Sequence, residues 1–315
     1  MSVVIETQNL TKIYDGKAVV DHVNFQVKKG ELLSLLGPNG AGKSTTISML
    51  TTVLRPDAGT ALINKLDIQR DKMKIRDIIG VTPQDLVFYE ELTTRDNLIF
   101  FGQMHGIPKK QLKSDAERIL EKLGLAERRD RSRKFSGGMK RRLNIAINMI
   151  MNPQILFLDE PTAGLDPQAR HVVWDYIQEV KNEGKTIILT THDMHEAEVL
   201  SDRVIIMDNG KIIAEGTPDE LKEKYSEKNI LEIKFKDESK IVLLREALQD
   251  LDFVKDILEH EDKTISIYFD GGLLNFTQIL NQGFITDVTD LESMSLRQNT
   301  LEDVFLKLTG RRLRD

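Results

Sequence analysis

Gly37-Pro38-Asn39-Gly40-Ala41-Gly42-Lys43-Ser44 is the stretch that decides the fold, because two glycines separated by four residues run directly into lysine and serine. This is the spacing of a phosphate cradle, in which glycines let backbone N–H groups turn toward phosphate oxygens and lysine adds a full positive charge. The flanks match it. Leu32-Leu33-Ser34-Leu35-Leu36 is the short apolar run of a buried strand, and Ser44 to Leu54 reads as a helix that stops before Pro56. The helix N-terminus adds partial positive charge at the same place, and Ser44 is then placed to hold Mg²⁺. Alone, these eight residues also fit an ordinary glycine-rich turn, so the remaining motifs must discriminate.

The whole chain narrows the classes. Its 315 residues fit about two domains at ~150 residues each. Lysine and arginine number 44 against 50 acidic residues, a net charge of −6. That balance lacks the broad positive field of nucleic-acid binders, so no nucleic-acid partner is expected. With no cysteine, disulfides and thiolate metal sites are excluded, which is compatible with a cytosolic setting. The Met1 end lacks the basic start and apolar middle of a signal peptide. No run of ~20 apolar residues is long enough to cross a bilayer, so any service to a membrane is expected from outside it.

Val3-Val4-Ile5 and the alternating Val23, Phe25 and Val27 read as strands, with Asp15-Gly16 as a tight turn between their neighbourhoods. Tyr14, just before that turn, either stacks on a base or packs the hairpin. Ala61 to Ile63 is a further short strand, and Ile78 to Thr82 a buried strand that ends at Pro83-Gln84. From about Thr93 to Asn148 the period becomes helical, with Leu112, Ala116, Ile119, Leu120 and Leu123 on one face. The run Arg128 to Lys134 reads as solvated surface and receives no site. Ser136 is placed to cap the helix that follows, leaving free N–H groups that either meet an anion or merely start a helix.

Ile155-Leu156-Phe157-Leu158 has the continuous apolar character of a central parallel strand and delivers Asp159 and Glu160 at its carboxyl end. Beside a phosphate loop, two such acids hold Mg²⁺ through water and activate a nucleophilic water; otherwise they only begin a loop. An amphipathic helix follows Asp166, with Trp174 read as packing. The buried strand Thr186 to Thr190 leads into Thr191-His192, and Asp208-Asn209-Gly210 between two apolar runs marks a hairpin.

The ordered set of these motifs resembles the ATP-binding subunit of ABC transporters over about residues 1 to 222. That resemblance implies an α/β fold with a RecA-like parallel sheet core, an antiparallel β subdomain and a helical subdomain at about residues 93–149. It makes Gly37, Pro38, Asn39, Gly40, Ala41, Gly42, Lys43, Ser44 and Thr45 the Walker A loop and Gln84 the Q-loop residue. Ser136, Gly137 and Gly138 become the signature, Asp159 and Glu160 the end of Walker B, Asp166 part of the D-loop and His192 the switch. Tyr14 looks like the aromatic that stacks on the base. The implied ligands are ATP and Mg²⁺, the metal being coordinated by Ser44 and Gln84 with support from Asp159. Glu160 is the implied base for the attacking water and His192 holds the γ-phosphate geometry.

Further implications concern partners. A second copy, in a homodimer or pseudo-dimer, closes its Ser136 and Gly137 over ATP held by the first. A separate polytopic membrane permease receives the work, which places the subunit in the cytoplasm, peripheral on the inner face of the cell membrane. Phe135 and Met139 replace the commoner Leu and Gln of the signature, and with Leu301 to Gly310 they resemble the drug-resistance branch of export ATPases. Leu86-Val87-Phe88-Tyr89 is read either as the patch that receives a helix from the permease or as internal packing.

Residues 223–315 read as a small accessory α+β domain. Leu231-Ile233-Phe235 and Ile265-Ile267-Phe269 alternate as strands, helices lie around Val242 to Leu248 and Leu273 to Leu280, and another strand is expected around Phe284 to Val288. This gives a βαββαβ order of ferredoxin-like type, and Thr300-Leu301-Glu302-Asp303 resembles a capping box. The domain binds a regulator, lengthens the dimer contact or covers the coupling surface; the sequence does not choose. Alternatives for the whole chain are a soluble ABC ATPase acting on ribosomes or DNA, and an ATP-dependent interaction module.

Overall fold

Strands that are apolar at every position need cover on both faces, and that requirement organises the computed structural model, which describes residues 2–225, 229–237, 239–248, 251–260, 263–281 and 291–310. The first block holds β1 (Val3–Tyr14), β2 (Lys17–Val23), β3 (Gln26–Lys28), β4 (Leu32–Leu36), α1 (Lys43–Leu50), β5 (Ala58–Ile63), β6 (Leu66–Asp67), α2 (Lys72–Arg76) and β7 (Ile79–Thr82). An antiparallel layer, β2-β1-β5-β6 with β3 also on β1, is built from it. Two expectations change here. Val23, Phe25 and Val27 are all buried, but His22 has φ 51° and Asn24 bonds to Asn9, so the run breaks into β2 and β3. The first helix stops at Leu50 rather than Leu54, because Thr52 takes φ 64° and the next N–H groups fold back to Ser48.

The helical block is α3 (Thr94–Met104), α4 (Lys109–Lys122) and α5 (Gly137–Met149). Leu112, Ala116, Ile119 and Leu120 form the buried face of α4, as their i, i+4 and i+3 spacing requires. β8 (Ile155–Asp159), α6 (Pro167–Asn182), β9 (Thr186–Thr191), α7 (Met194–Leu200), β10 (Arg203–Asp208) and β11 (Lys211–Gly216) follow.

The central sheet has the order β11-β10-β4-β9-β8-β7. It is parallel from β10 to β7, with β11 antiparallel at the edge. Alternate residues enter opposite cores. Leu33, Leu35 and Phe157 join Ile5 and Val27 under the antiparallel layer, while Leu156, Leu158 and Leu189 pack with Leu143 and Val173 on the helical side. Each such side chain contributes roughly 1.5–3 kcal/mol on burial. Because β4, β7, β8 and β9 run the same way, Gly37, Pro83, Glu160 and His192 all leave the sheet at its carboxyl edge, the usual ligand-binding edge of parallel α/β sheets.

The chain divides into two compact units between Thr217 and Pro218. The second contains α8 (Pro218–Tyr225), β12 (Asn229–Phe235), α9 (Ser239–Leu248), β13 (Val254–Glu259), β14 (Thr264–Phe269), α10 (Leu273–Leu280), β15 (Leu291–Gln298) and α11 (Leu301–Thr309). Its antiparallel sheet, β13-β14-β12-β15, has the split βαβ plan of a ferredoxin-like fold. The strand expected at Phe284 to Val288 lies outside the described residues; β15 starts at Leu291. Thr300 and Asp303 form the capping box of α11. Burial works against ionising Asp303, but hydrogen bonds from Arg297 and Thr300 outweigh it and hold the carboxyl below its usual range. Among the described residues no helix is long and apolar enough to cross a membrane.

Candidate functional site

After Leu36 the chain turns through Gly37 to Gly42 into α1. Gly42 has φ 97°, and a Cβ there would lie 2.4 Å from the Val19 carbonyl oxygen of β2. Gly37 is outside the left-handed region, yet its Cβ would lie 2.2 Å from the Met207 carbonyl oxygen of β10. The loop is therefore wedged between two strands, and only hydrogen fits at either end. Asn39 and Gly40 are exposed at its crest, and Thr45 is half-buried behind Ser44. Lys43 is 4% exposed, and its ammonium donates to the carbonyls of Gly37 at 2.7 Å and Pro38 at 3.0 Å. Burial lowers its pKa, and the neighbouring Glu160 and Asp159 pull it back up.

The acids arrive from β8. Ser44 donates to Asp159 Oδ1 at 2.9 Å, and Thr190 at the end of β9 donates to the same oxygen. Glu160 is 7% exposed and sits in the left-handed region with φ 47°, a conformation that costs a non-glycine residue roughly 1–2 kcal/mol. Its N–H is held by Thr190 through both the carbonyl and the hydroxyl, each at 3.1 Å. Its carboxylate lies 3.8 Å from the Lys43 ammonium and 3.1 Å from Nδ1 of His192. A carboxylate only accepts, so the last bond puts a ring proton on Nδ1.

Direct contacts thus join Gly37, Pro38, Lys43, Ser44, Asp159, Glu160 and His192. The other sequence candidates stand apart from that group. Ser136 caps α5 by accepting from the Met139 N–H at 3.3 Å, and Ser136 and Gly137 are exposed. Gly138 faces Leu165, whose Cδ2 a Cβ would meet at 3.3 Å. Asp166 caps α6 through Ala169 N–H at 2.8 Å. Gln84 is exposed, and among the described residues its side chain bonds to neither Ser44 nor Asp159. Tyr14 is 47% exposed at the tip of the β1–β2 hairpin, with the Lys12 ammonium 5.3 Å from its ring centroid.

Several residues that pattern reading missed complete the surroundings. Thr190 braces both acids. Glu196 on α7 is 1% exposed and accepts from Thr162 at 2.6 Å and Trp174 at 3.0 Å. Arg141 on α5 is buried against the main chain at the end of β8; burial lowers its pKa, and Asp159 and Glu160 oppose that shift. It lies in the run Lys140-Arg141-Arg142, and runs of like charge are usually solvated. Its signal was helical spacing, since Arg141, Asn144 and Ile145 share one face. The basic run Arg128 to Lys134 forms surface ion pairs instead of a site, with Arg131 and Arg133 both on Glu91.

Known proteins resemble this chain over most of its length. The ABC transporter family profile matches residues 20–163. The linearmycin resistance ATP-binding protein LnrL of Bacillus subtilis is 36% identical over 99% of this chain and 100% of its own. The daunorubicin/doxorubicin resistance ATP-binding protein DrrA of Streptomyces peucetius is 38% identical over 97% and 92%. The Nod factor export ATP-binding protein I of Ralstonia nicotianae is 37% identical over 99% and 95%. A solved ATP-binding subunit of an ABC transporter superposes with TM-score 0.65 and 31% identity, covering 70% of this chain and 93% of that one. Resistance and export relatives favour the transport reading over the ribosome- or DNA-associated alternative. An acid pair beside a buried phosphate-loop lysine, on a chain alignable end to end with such proteins, leads to one conclusion: this chain belongs to the ABC transporter family, as an export-type ATP-binding subunit that hydrolyses ATP to drive transport.

Proposed function

We propose that ATP lies between two copies of this chain, its phosphates on Gly37 to Thr45 of one copy and under Ser136, Gly137 and Gly138 of the other. The observation that carries this reading is a separation. Among the described residues, no hydrogen bond or ion pair links Ser136, Gly137 or Gly138 to Lys43, Ser44, Glu160 or His192, and the exposed start of α5 leaves its first N–H groups without helical partners. An anion held by a second copy supplies them.

Within each half-site, Lys43 and the loop N–H groups bind the phosphates, and Tyr14 stacks on the base. Glu160 takes a proton from water as the water oxygen bonds to the γ-phosphorus and ADP leaves; such positioned proton transfer contributes ~10²–10⁴-fold. His192, held by Glu160, positions the γ-phosphate. Asp166 lies on the loop that meets the second copy. Ser44 and Asp159 present hard oxygen donors fitted to Mg²⁺. Gln84 would join them as a third oxygen donor. Bound there, the ion would neutralise charge on the phosphates.

The work passes to a separate polytopic permease at the inner face of the membrane, and the relatives' names, which speak of drug resistance and Nod factor export, favour a drug-like or related exported cargo. Leu86, Val87 and Tyr89 are exposed beside the ring pair Tyr89–Phe100, whose centroids are 4.8 Å apart. This patch receives a short helix of the permease. Phe88 is excluded from it, since that side chain packs against the helical-side core. The test of the composite site is Glu160→Gln. It is expected to bind ATP, lose phosphate release and form an ATP-dependent dimer in light scattering; wild-type turnover, or a monomer at saturating ATP, overturns the reading.

A further inference from the structure

Arg141, one turn after the signature on α5, is 5% exposed and makes no ion pair with a carboxylate among the described residues. Its donors go to backbone carbonyls of two separate loops. Nε donates to Pro161 at 3.2 Å, Nη1 to Pro83 at 3.3 Å and to Gln84, and Nη2 to Asp159 at 2.9 Å and to Glu160. A guanidinium carries its five N–H groups in a rigid plane, and here that plane is spread over five carbonyls. Asn144, on the same face of α5, adds Nδ2 contacts to the Pro83 and Asp85 carbonyls, both at 3.3 Å, and accepts from Val87 N–H at 3.0 Å.

The Glu160 carbonyl is one of the groups so held, and it belongs to the residue in the left-handed conformation, φ 47°. A strained backbone persists only where its surroundings over-determine it. Thr190 fixes the N–H side of Glu160; Arg141 fixes the carbonyl side. We infer that Arg141 is a positioning residue for hydrolysis, locking Glu160 and the Gln84 backbone to the helix that begins at Ser136. This rests on Glu160 being the base and on Ser136 reaching the other copy's ATP. The consequence is that one side chain connects the two nucleotide sites of a dimer: the helix that closes on one ATP sets the base that acts on the other.

The test compares Arg141→Ala, Arg141→Lys and Glu160→Gln in the full chain by ATPase kinetics, fluorescent-ATP binding and thermal unfolding. Arg141→Ala is expected to keep ATP affinity and lower kcat ~10–100-fold, the cost of a displaced catalytic group. Arg141→Lys keeps the charge but offers three donors on one atom, and it should recover part of kcat with KM unchanged. If Arg141→Ala does not fold, Arg141→Lys carries the test. A folded Arg141→Ala or Arg141→Lys with wild-type kcat overturns the inference. So does a parallel loss of kcat, ATP affinity and unfolding temperature in both variants, which marks a purely structural role. An active Glu160→Gln overturns the underlying assignment of the base; an inactive Glu160→Gln beside a fully active Arg141→Ala overturns only the role of Arg141.

Discussion

Ser44 and Asp159 are bonded directly to each other, hydroxyl to carboxylate at 2.9 Å, across the gap between the start of α1 and the end of β8. The pair aligns an oxygen of the phosphate-binding helix with an oxygen of the acidic strand before any cation is considered. Asp159→Asn keeps the shape and removes the charge. The Mg²⁺ concentration needed for half-maximal ATPase should rise ~10–100-fold, the usual effect of losing a supporting ligand. An unshifted magnesium titration in a folded variant counts against the assignment.

Val87 is 51% exposed, so a charge there disturbs little inside the chain; surface changes of this kind stay within about 0.5 kcal/mol. Val87→Asp should retain basal ATPase and unfolding temperature yet lose transport when the chain is paired with its permease. Phe88→Asp should differ by losing stability, since it puts a charge into the helical-side core. Normal transport by Val87→Asp would remove this patch from the coupling surface.

Glu196 gives a pH-dependent expectation. Burial raises its carboxyl above the usual range, although hydrogen bonds from Thr162, Thr191 and Trp174 act the other way. A raised acid binds its proton more tightly in the folded than in the unfolded chain. Stability is then lost as pH climbs from the ordinary carboxylate value of ~4.3 through the folded value. Glu196→Gln retains an oxygen for Thr162 and Trp174 and cannot ionise. Its unfolding temperature relative to the wild type should be higher at pH 8 than at pH 5. An equal difference at both pH values would show that Glu196 does not titrate with folding.

What pattern reading found and missed follows from how far each signal travels along the chain. The phosphate loop, the acids after β8 and the two hairpins are encoded by adjacent residues, and structure places them where spacing puts them. The break between β2 and β3 depends on Asn24 meeting Asn9, which no local window contains. β15 went unread because Leu291 to Gln298 carries mostly exposed positions and so lacks the apolar alternation of a half-buried strand. Arg141 and Thr190 were missed for a related reason: their partners lie 18 to 58 residues away for Arg141 and 31 for the Thr190–Asp159 bond. Polar residues that serve distant backbone have no composition signature of their own.

The wedged loop has an evolutionary reading. Gly37 and Gly42 meet main-chain oxygens of Met207 and Val19, atoms that every residue type possesses. No substitution at position 207 or 19 can make room for a larger residue in the loop. Two letters of the phosphate motif are therefore held in place by main-chain atoms, whatever side chains those neighbours carry, and they should outlast the side chains around them as the lineage diverges.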